Sequence, residues 1–238
     1  MKALTPHSRT RTRRELLKMA PLAAAGLLLT DRGRTWVVRT GLSLSDQAST
    51  VAFRSTHLAP TFADREVTPL ERFPLNSYRA DDPDVDLDAW RLEVSGLVPR
   101  PDSYTLDVLR QLPRVTQNTR HIWIEGWDVI GNFAGVRIAD FLAHVGADAS
   151  ARFIEVRCAD DYYESIDMAS ARHPQSLLCY EMYGEPLSRA HGAPLRLVMP
   201  TKLGYKQAKY VVALSVTNVL SARRGYWEDQ GYPWHGGL

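Results

Sequence analysis

RHIWIEGW, residues 120–127, lies near the middle of the chain and carries the strongest local pattern there. Ile122, Trp123 and Ile124 form a short apolar run of β-branched and aromatic residues, and Gly126 follows as a turn signal. The pattern predicts a buried strand that ends in a loop. By itself, the octet favours a core role for its two tryptophans, since large aromatic side chains are usually buried.

The segments before the octet have the periodicities of a strand and a helix. Residues 90–96, WRLEVSG, alternate between apolar and polar and end at glycine, which predicts a half-buried strand. Residues 104–113, YTLDVLRQLP, start with a threonine cap, repeat apolar residues at helical spacing and stop at proline. The predicted order is therefore strand, short helix and then the strand of the octet.

The segments after the octet are short and of mixed type. We predict a glycine-punctuated turn at 130–136, a helix at 137–145, a strand at 152–158, a short helix at 168–173, a strand, turn and strand at 177–187, and a strand at 211–216. Because no long β-α rhythm is present, the fold class is α+β with mixed sheets and short helices.

Composition places the chain among ordinary globular proteins. It has 238 residues, of which 45% are hydrophobic and 24% charged, enough for one domain with an N-terminal appendage. The formal net charge of +2 is inflated by arginines in the first forty residues. The remainder is mildly acidic, which argues against a nucleic-acid partner.

The N-terminus has the form of an export signal. Residues 12–18, TRRELLK, precede an apolar run, Met19 to Leu29, that is too short to span a bilayer. The arginine pair predicts a twin-arginine signal and a periplasmic or membrane-associated protein on the outer face, with a basic amphipathic arm as the alternative. No clear cleavage site follows Leu29, so an uncleaved anchor stays open. The predicted division is a signal or anchor at 1–40, an extended arm at 41–70 and one domain at 71–238.

Two cysteines, Cys158 and Cys179, lie in apolar surroundings without the spacing of a zinc or haem site. Export would permit a disulfide. Buried free thiols are the more common state for such a pair, and we predict them here.

Residues 191–209, HGAPLRLVMPTKLGYKQAK, form the second informative stretch. A hydrophobic strand with one arginine leads through a proline into a glycine-centred loop with three lysines. Such a loop can surround an anion with backbone N–H groups and ammonium groups. A solvated basic turn is the alternative.

The octet resembles Arg-His-Ile-Cys-(Val/Ile)-Glu-Gly-Trp, a motif of the sulfite-oxidase-fold molybdopterin oxidoreductases. Other segments resemble that family in matching order, namely 72–78, 90–98, 104–113, 177–187, 191–209 and 225–232. The resemblance covers roughly Arg72 to Trp234. It implies a sulfite-oxidase-type molybdopterin-binding fold in a single domain, similar to the small bacterial exported members.

The resemblance also implies a cofactor, molybdopterin, and residues that would bind it. Matched residue by residue, the cofactor-binding set is Asn76, Ser77, Cys158, His191, Arg196, Lys202, Lys206, Gln207, Ala208 and Lys209. Tyr162 falls at the position of a tyrosine close to the metal-bound oxygens, and we expect it to be catalytic. A phenol can donate to an oxo group or hold a substrate oxyanion.

The main departure from the family is Trp123, which occupies the position of the cysteine that ligates molybdenum. An indole offers only an N–H donor, so no protein ligand to a metal is predicted. Cys179 replaces a small residue of the family pattern and is expected to fill the core, not to act as a displaced ligand.

Three functions are compatible with these motifs. The first is a molybdopterin-dependent oxidoreductase that acts on a small sulfite- or sulfoxide-like oxo-substrate by oxygen-atom transfer, its metal held without a protein sulfur. The second is a non-catalytic pterin-binding protein with Trp123 stacked over the site, and the third is a scaffold. The lysine loop and the export signal favour the first two. Resemblance to the bacterial sulfoxide-reducing members implies a membrane b-type cytochrome as electron partner.

Overall fold

The computed structural model describes Leu44, Phe53 and residues 56–238. The predicted export signal at 1–40 and part of the predicted arm at 41–70 lie outside these residues. Of the arm, Thr61 forms an isolated bridge with Thr119, and the Phe62 amide donates to the Asn118 carbonyl at 3.1 Å. This end of the arm therefore runs beside the strand that leads to the octet.

The described residues contain ten strands and three short α-helices. In chain order they are β1 Leu92–Gly96, β2 Asp102–Tyr104, α1 Leu106–Arg110, β3 Arg114–Ile122, β4 Asp128–Arg137, α2 Ile138–His144, β5 Phe153–Cys158, β6 Tyr163–Asp167, α3 Met168–Ala171, β7 Leu177–Met182, β8 Glu185–Pro186, β9 Arg196–Val198 and β10 Val211–Thr217. No helix in this part of the chain is long and apolar enough to cross a membrane.

The strands form two five-stranded sheets. The first sheet has the strand order β2-β1-β10-β5-β6. Strands β1 and β10 are parallel, and the other neighbouring pairs in this sheet are antiparallel. The second has the order β3-β4-β7-β8, and β9 pairs with β7. The predicted α+β fold with mixed sheets and short helices is confirmed.

The main core lies against the first sheet and is built from alternating strand residues and one helix face. Leu92, Ile154 and Leu214 are buried from three neighbouring strands. Burial of each such side chain stabilises the fold by about 1.5–3 kcal/mol. From α2, Ile138 and Phe141 join the same core, as the apolar face of the predicted helix requires.

Most predicted elements are found within a few residues of their predicted bounds. Thr105 caps α1, its hydroxyl accepting from the Val108 amide at 3.4 Å. Both cysteines are buried free thiols, as predicted. Cys179 belongs to a second, smaller hydrophobic cluster, separate from the main core.

Two local predictions are wrong. The strand of the octet ends at Ile122, and residues 123–127 form a hairpin turn closed by the Trp123 amide donating to the Trp127 carbonyl at 3.0 Å. Residues 130–136 are not a turn but part of β4. Gly135 in this strand allows β4 to pack closely against β7, since a Cβ at Gly135 would lie 2.1 Å from the Leu178 carbonyl oxygen.

Candidate functional site

A cavity opens where five chain segments meet, at the tip of the β3–β4 hairpin. Its empty volume is about 710 Å³, with the solvent at its mouth included. The lining residues come from the 73–78 loop, the hairpin tip, the turn after β5, the 190–196 segment and the 204–209 loop, together with Trp227. They are Phe73, Pro74, Asn76, Ser77, Tyr78, His121, Trp123, Glu125, Trp127, Asp160, Tyr162, Ala190, His191, Arg196, Gly204, Tyr205, Gln207, Ala208, Lys209 and Trp227.

Arg196 is a buried charged residue on this cavity, with 4% of its surface exposed. Its Nη1 donates to the His191 carbonyl at 3.1 Å, while its Nε has no hydrogen-bond partner. No ion pair to a carboxylate of the described residues is present, and burial lowers the pKa of its guanidinium. An unpaired buried cation is costly, so this arrangement favours an anionic ligand.

Lys209 adds a second cation at the cavity wall. Its Nζ donates to Ser77 Oγ at 3.0 Å and to the Ala190 carbonyl at 2.9 Å. Its distance to Asp82 Oδ1 is 3.9 Å, which is a weak ion pair. Burial and the nearby Arg196 charge lower the pKa of Lys209 to about 8. A bound anion would favour its charged form.

Two buried histidines flank Arg196 and are neutral at pH 7. Burial, and then the Arg196 charge, lowers the pKa of His121 to about 3 and that of His191 to about 4. The Nδ1 of His121 and the Nδ2 of Asn76 are buried without a hydrogen-bond partner. Together with Arg196 Nε they leave three polar atoms on the cavity unsatisfied, which is the signature of a missing ligand or ordered water.

The 204–209 loop forms one side of the cavity and begins with a 3-10 turn, Gly204–Lys206. Gln207 is fixed from both ends of its amide, accepting from the Met199 amide at 3.3 Å and donating to the Lys202 carbonyl at 3.1 Å. The Ala208 carbonyl accepts from the Leu197 amide at 2.8 Å. The loop is therefore tied to β9, the strand of Arg196.

Tyr162 lines the cavity beside this turn. Its hydroxyl donates to the Tyr205 carbonyl at 2.7 Å, and burial raises the pKa of its phenol. The phenol is neutral, and its single proton is directed at the protein backbone. Its oxygen remains available as an acceptor.

Trp123 closes the cavity at the hairpin tip. Its ring is stacked on Trp127, with centroids 5.9 Å apart and planes 14° from parallel, and on His121 at 5.9 Å. Its other neighbour is Gly204, because a Cβ built there would lie 1.6 Å from the indole. No group of three His, Cys, Asp or Glu side chains in the described ranges is arranged to hold a metal ion.

Eight of the predicted binding and catalytic residues meet on this cavity, and three do not. Those on the cavity are Asn76, Ser77, Tyr162, His191, Arg196, Gln207, Ala208 and Lys209. Cys158, Lys202 and Lys206 are not among the lining residues. Burial raises the pKa of the Cys158 thiol, as expected of a core residue.

The ammonium groups of the two lysines are directed to carboxyl groups of the protein and not to the cavity. Lys206 Nζ lies 2.5 Å from Glu164 and 2.6 Å from Glu228. Lys202 Nζ donates to the His235 carbonyl at 2.8 Å and lies 3.5 Å from Asp167. A buried ammonium group must be paired, and these partners are distant in sequence. In this structure both ammonium groups are therefore held by protein partners and not at the cavity surface, and their role in cofactor binding stays a prediction.

Several cavity residues carried no sequence prediction of binding. Among them are Phe73, Tyr78, His121, Asp160, Tyr205 and Trp227. His121 had a usable signal, since it lies two residues before Trp123 at the end of a strand and so shares its face. Asp160 and Tyr205 had none, because the turns that bring them to the cavity are set by tertiary packing.

Comparison with known proteins gives consistent relatives. Residues 79–227 match the family described as oxidoreductase molybdopterin binding domain. A relative in Azospira oryzae, named putative protein-methionine-sulfoxide reductase subunit YedZ1, is 51% identical over 187 residues, covering 78% of this chain and 70% of the relative. The protein-methionine-sulfoxide reductase catalytic subunit MsrP of Ralstonia nicotianae is 30% identical over 237 residues, covering 89% and 70%.

One solved structure with a similar fold is the sulfane dehydrogenase SoxCD from Paracoccus pantotrophus. The TM-score is 0.55 at 21% identity, covering 61% of this chain. The chain spans 46% of the length of that structure's chain, and the likeness concerns the fold.

Proposed function

This chain belongs to the oxidoreductase molybdopterin binding domain family, and we propose that it binds molybdopterin in the cavity that Arg196 lines and acts as an oxidoreductase on a small oxo-substrate. The proposal depends mainly on one observation. The guanidinium of Arg196 is buried on the cavity and has no carboxylate partner among the described residues. A phosphate-bearing anion would supply the missing charge.

The cavity residues fit the organic part of such a group. Arg196 and Lys209 would hold its phosphate, since both are cations and Arg196 Nε is unsatisfied. The unsatisfied Asn76 Nδ2 and His121 Nδ1, with Gln207, offer polar contacts to a heterocycle. Bound with molybdenum, this group supplies two-electron oxygen-atom transfer.

The protein contributes exclusion of water and a fixed polar edge. The Trp123 and Trp127 stack covers the hairpin side of the cavity and reduces access of solvent to it. Tyr162 presents a neutral phenol whose orientation is fixed by its bond to Tyr205. Its oxygen would accept a hydrogen bond from a protonated substrate or a water molecule.

We propose a sulfoxide or sulfite-like compound as the substrate. The relatives from Azospira oryzae and Ralstonia nicotianae are both named for protein-methionine-sulfoxide reductase. A sulfoxide has a small polar oxygen and apolar substituents on sulfur, and the aromatic rings that line the cavity with Arg196 offer favourable sulfur contacts.

Trp123 distinguishes this cavity from one that ligates a metal through protein sulfur. Its ring occupies the hairpin tip, and neither cysteine lines the cavity. The proposed oxidoreductase therefore holds its metal without a protein thiolate, which should change its ligand exchange and reduction potential. The packing of Trp123 on Gly204 favours a second candidate, a pterin-binding or scaffold protein without catalysis.

We further propose export by the twin-arginine route and electron delivery from a membrane b-type cytochrome. The adjacent Arg13 and Arg14 before an apolar run support the first, and the family resemblance supports the second. Replacement of both arginines by lysine should keep the protein in the cytoplasm.

The function is tested by turnover of the full chain produced with a complete molybdenum-cofactor pathway. We expect reduction of sulfoxides with an artificial electron donor, or oxidation of sulfite with an artificial acceptor. Tyr162→Phe should lower kcat about tenfold with unchanged pterin content. Pterin-loaded protein that contains molybdenum but turns over neither substrate class would favour the non-catalytic candidate.

A further inference from the structure

A buried cluster of three charged side chains lies directly behind the cavity wall. Lys206 Nζ lies 2.5 Å from Glu164 Oε1, 2.6 Å from Glu228 Oε1 and 2.8 Å from the Ser165 carbonyl oxygen. The side chains of Lys206, Glu164 and Glu228 are 1%, 0% and 1% exposed. The cluster is thus removed from water on all sides.

The charges of this cluster do not balance if both carboxyl groups are ionised. One ammonium would then face two carboxylates, and an uncompensated buried charge is strongly unfavourable. Both carboxyl groups lie against the same ammonium group, each with its Oε1 within 2.6 Å of Lys206 Nζ. The Oε2 atoms of both glutamates are buried without a hydrogen-bond partner. A retained proton would let one carboxyl group donate, because ionised carboxylates only accept.

The electrostatic surroundings agree with a retained proton. Burial, and also the Glu228 carboxyl, raises the pKa of Glu164 well above its usual range, although Lys206 acts in the opposite direction. Burial opposes the charge of Lys206, but the two carboxyl groups outweigh it and raise its pKa. Two further titratable groups, Tyr162 and Cys158, face the two glutamates. The Glu164 carboxyl helps to raise the pKa of both groups, and the Glu228 carboxyl helps to raise that of Tyr162.

Two members of the cluster, Lys206 and Glu228, adjoin residues of the cavity wall. Lys206 ends the Gly204–Lys206 turn, which supplies the backbone under Trp123 and the Tyr205 carbonyl that accepts from Tyr162. Glu228 directly follows Trp227, which also lines the cavity. Movement of Lys206 would therefore move two parts of the cavity at once.

We propose that Glu164 and Glu228 share one proton and, by holding Lys206, act as positioning residues that fix the 204–206 turn beneath Trp123 and beside Tyr162. The cluster is neutral in this state. Its relevance for turnover rests on the proposed function, whereas the shared proton and the fixed turn are properties of the chain alone.

The shared proton is tested by infrared spectroscopy of the full chain at pH 7, produced with and without the molybdenum-cofactor pathway. A protonated carboxyl band that shifts in heavy water should be present in the parent protein. Glu164→Gln and Glu228→Gln should each abolish it, because the remaining carboxylate then pairs with Lys206. Loss in only one variant, or no such band, would overturn the shared proton. Glu93→Gln, an exposed site, is the matched control and should leave the band unchanged.

The positioning role is tested by hydrogen exchange of the 203–207 segment. The single glutamine variants should retain slow exchange, because one carboxylate still holds Lys206, whereas Lys206→Met should increase the exchange rate at least tenfold. If Lys206→Met fails to fold, the Glu164→Gln and Glu228→Gln double variant provides the same readout, because Lys206 then has no carboxylate partner and exchange should be faster than in either single variant. Unchanged exchange in these disruptive variants would contradict the role. Since these readouts need no bound pterin, they can fail independently of the proposed function.

Discussion

The indole of Trp123 lies directly on the backbone of Gly204. A Cβ added to Gly204 would lie 1.6 Å from Cε3 and 2.2 Å from Cζ3 of that ring. The contact joins the β3–β4 hairpin tip to the 204–206 turn and closes one side of the cavity. Only glycine permits it, although the backbone at this position is not in the left-handed region.

A double-mutant cycle on this pair should show strong coupling. Gly204→Ala is expected to lower the free energy of unfolding by about 3 kcal/mol, since the added methyl displaces the indole. Trp123→Ala removes the obstacle, so the double variant should be about 2 kcal/mol more stable than the sum of the single effects predicts. Chemical denaturation measures both quantities.

Trp127→Ala is the control for this cycle. Trp127 stacks on Trp123 but is not among the nearest atoms to a Cβ at Gly204. Its coupling to Gly204→Ala should be well below that of Trp123. Additive effects of Trp123→Ala and Gly204→Ala would show that the two groups are not in contact.

Trp123→Cys should add a protein sulfur to the metal site. The substitution removes the indole and places a thiol on the cavity at the family's ligand position. X-ray absorption of the molybdenum-loaded variant should show one more sulfur ligand than the parent, and the metal should be retained longer during dialysis. Trp127→Cys, at the other ring of the stack, should change neither. An unchanged sulfur count in Trp123→Cys would place Trp123 away from the metal.

Arg196→Met should have opposite effects on stability and binding. In the cofactor-free chain the variant removes an unpaired buried charge, and we expect the free energy of unfolding to rise by about 1 kcal/mol despite the lost bond to His191. Its affinity for pterin should fall at least tenfold, since charge-assisted contacts to phosphate are lost.

Arg114→Met is the control for Arg196→Met. Arg114 is exposed and paired with Glu181, so its substitution should leave both stability and pterin content nearly unchanged. Equal loss of pterin in the two variants would argue against a specific role for Arg196.

Acidification should destabilise the cofactor-free chain through His121. Its pKa is lowered from 6.5 to about 3 in the folded state, so the unfolded state binds more protons between these values. Stability from this residue is complete above pH 6.5 and decreases as the pH falls, by about 2–3 kcal/mol near pH 4.5. The His121→Asn variant should lose this part of the pH dependence when chemical denaturation is measured at pH 6.5 and at pH 4.5. An unchanged profile would show that His121 is not buried in its neutral form.

Local patterns were sufficient for the elements whose residues follow one period. The alternation in Val211–Thr217 and the cap at Thr105 each depend on a few neighbouring residues, and both are found as predicted. The glycines of β4 misled the turn prediction because the groups that exclude a side chain there are tertiary neighbours, Phe73 and Phe133 at Gly131 and Leu178 at Gly135. In sequence, a glycine that bends the chain looks the same as one that admits a neighbouring group.

The cavity was partly predictable because most of its cationic and polar residues lie in recognisable motifs. Arg196 and Lys209 belong to one such segment and line the cavity together. Lys206 belongs to the same segment but turns into the protein, toward Glu164 and Glu228. Sequence spacing placed all three in one loop. The direction of a long flexible side chain depends on partners that only the fold brings near it.

The central claim, that this cavity holds a molybdopterin, is tested most directly by pterin and molybdenum analysis of the full chain purified from a host with a complete cofactor pathway. We expect about one pterin and one molybdenum per chain, and loss of both in Arg196→Met. Absence of pterin from the folded parent protein would contradict it, and pterin without metal would leave binding in place but exclude the proposed oxygen-atom transfer.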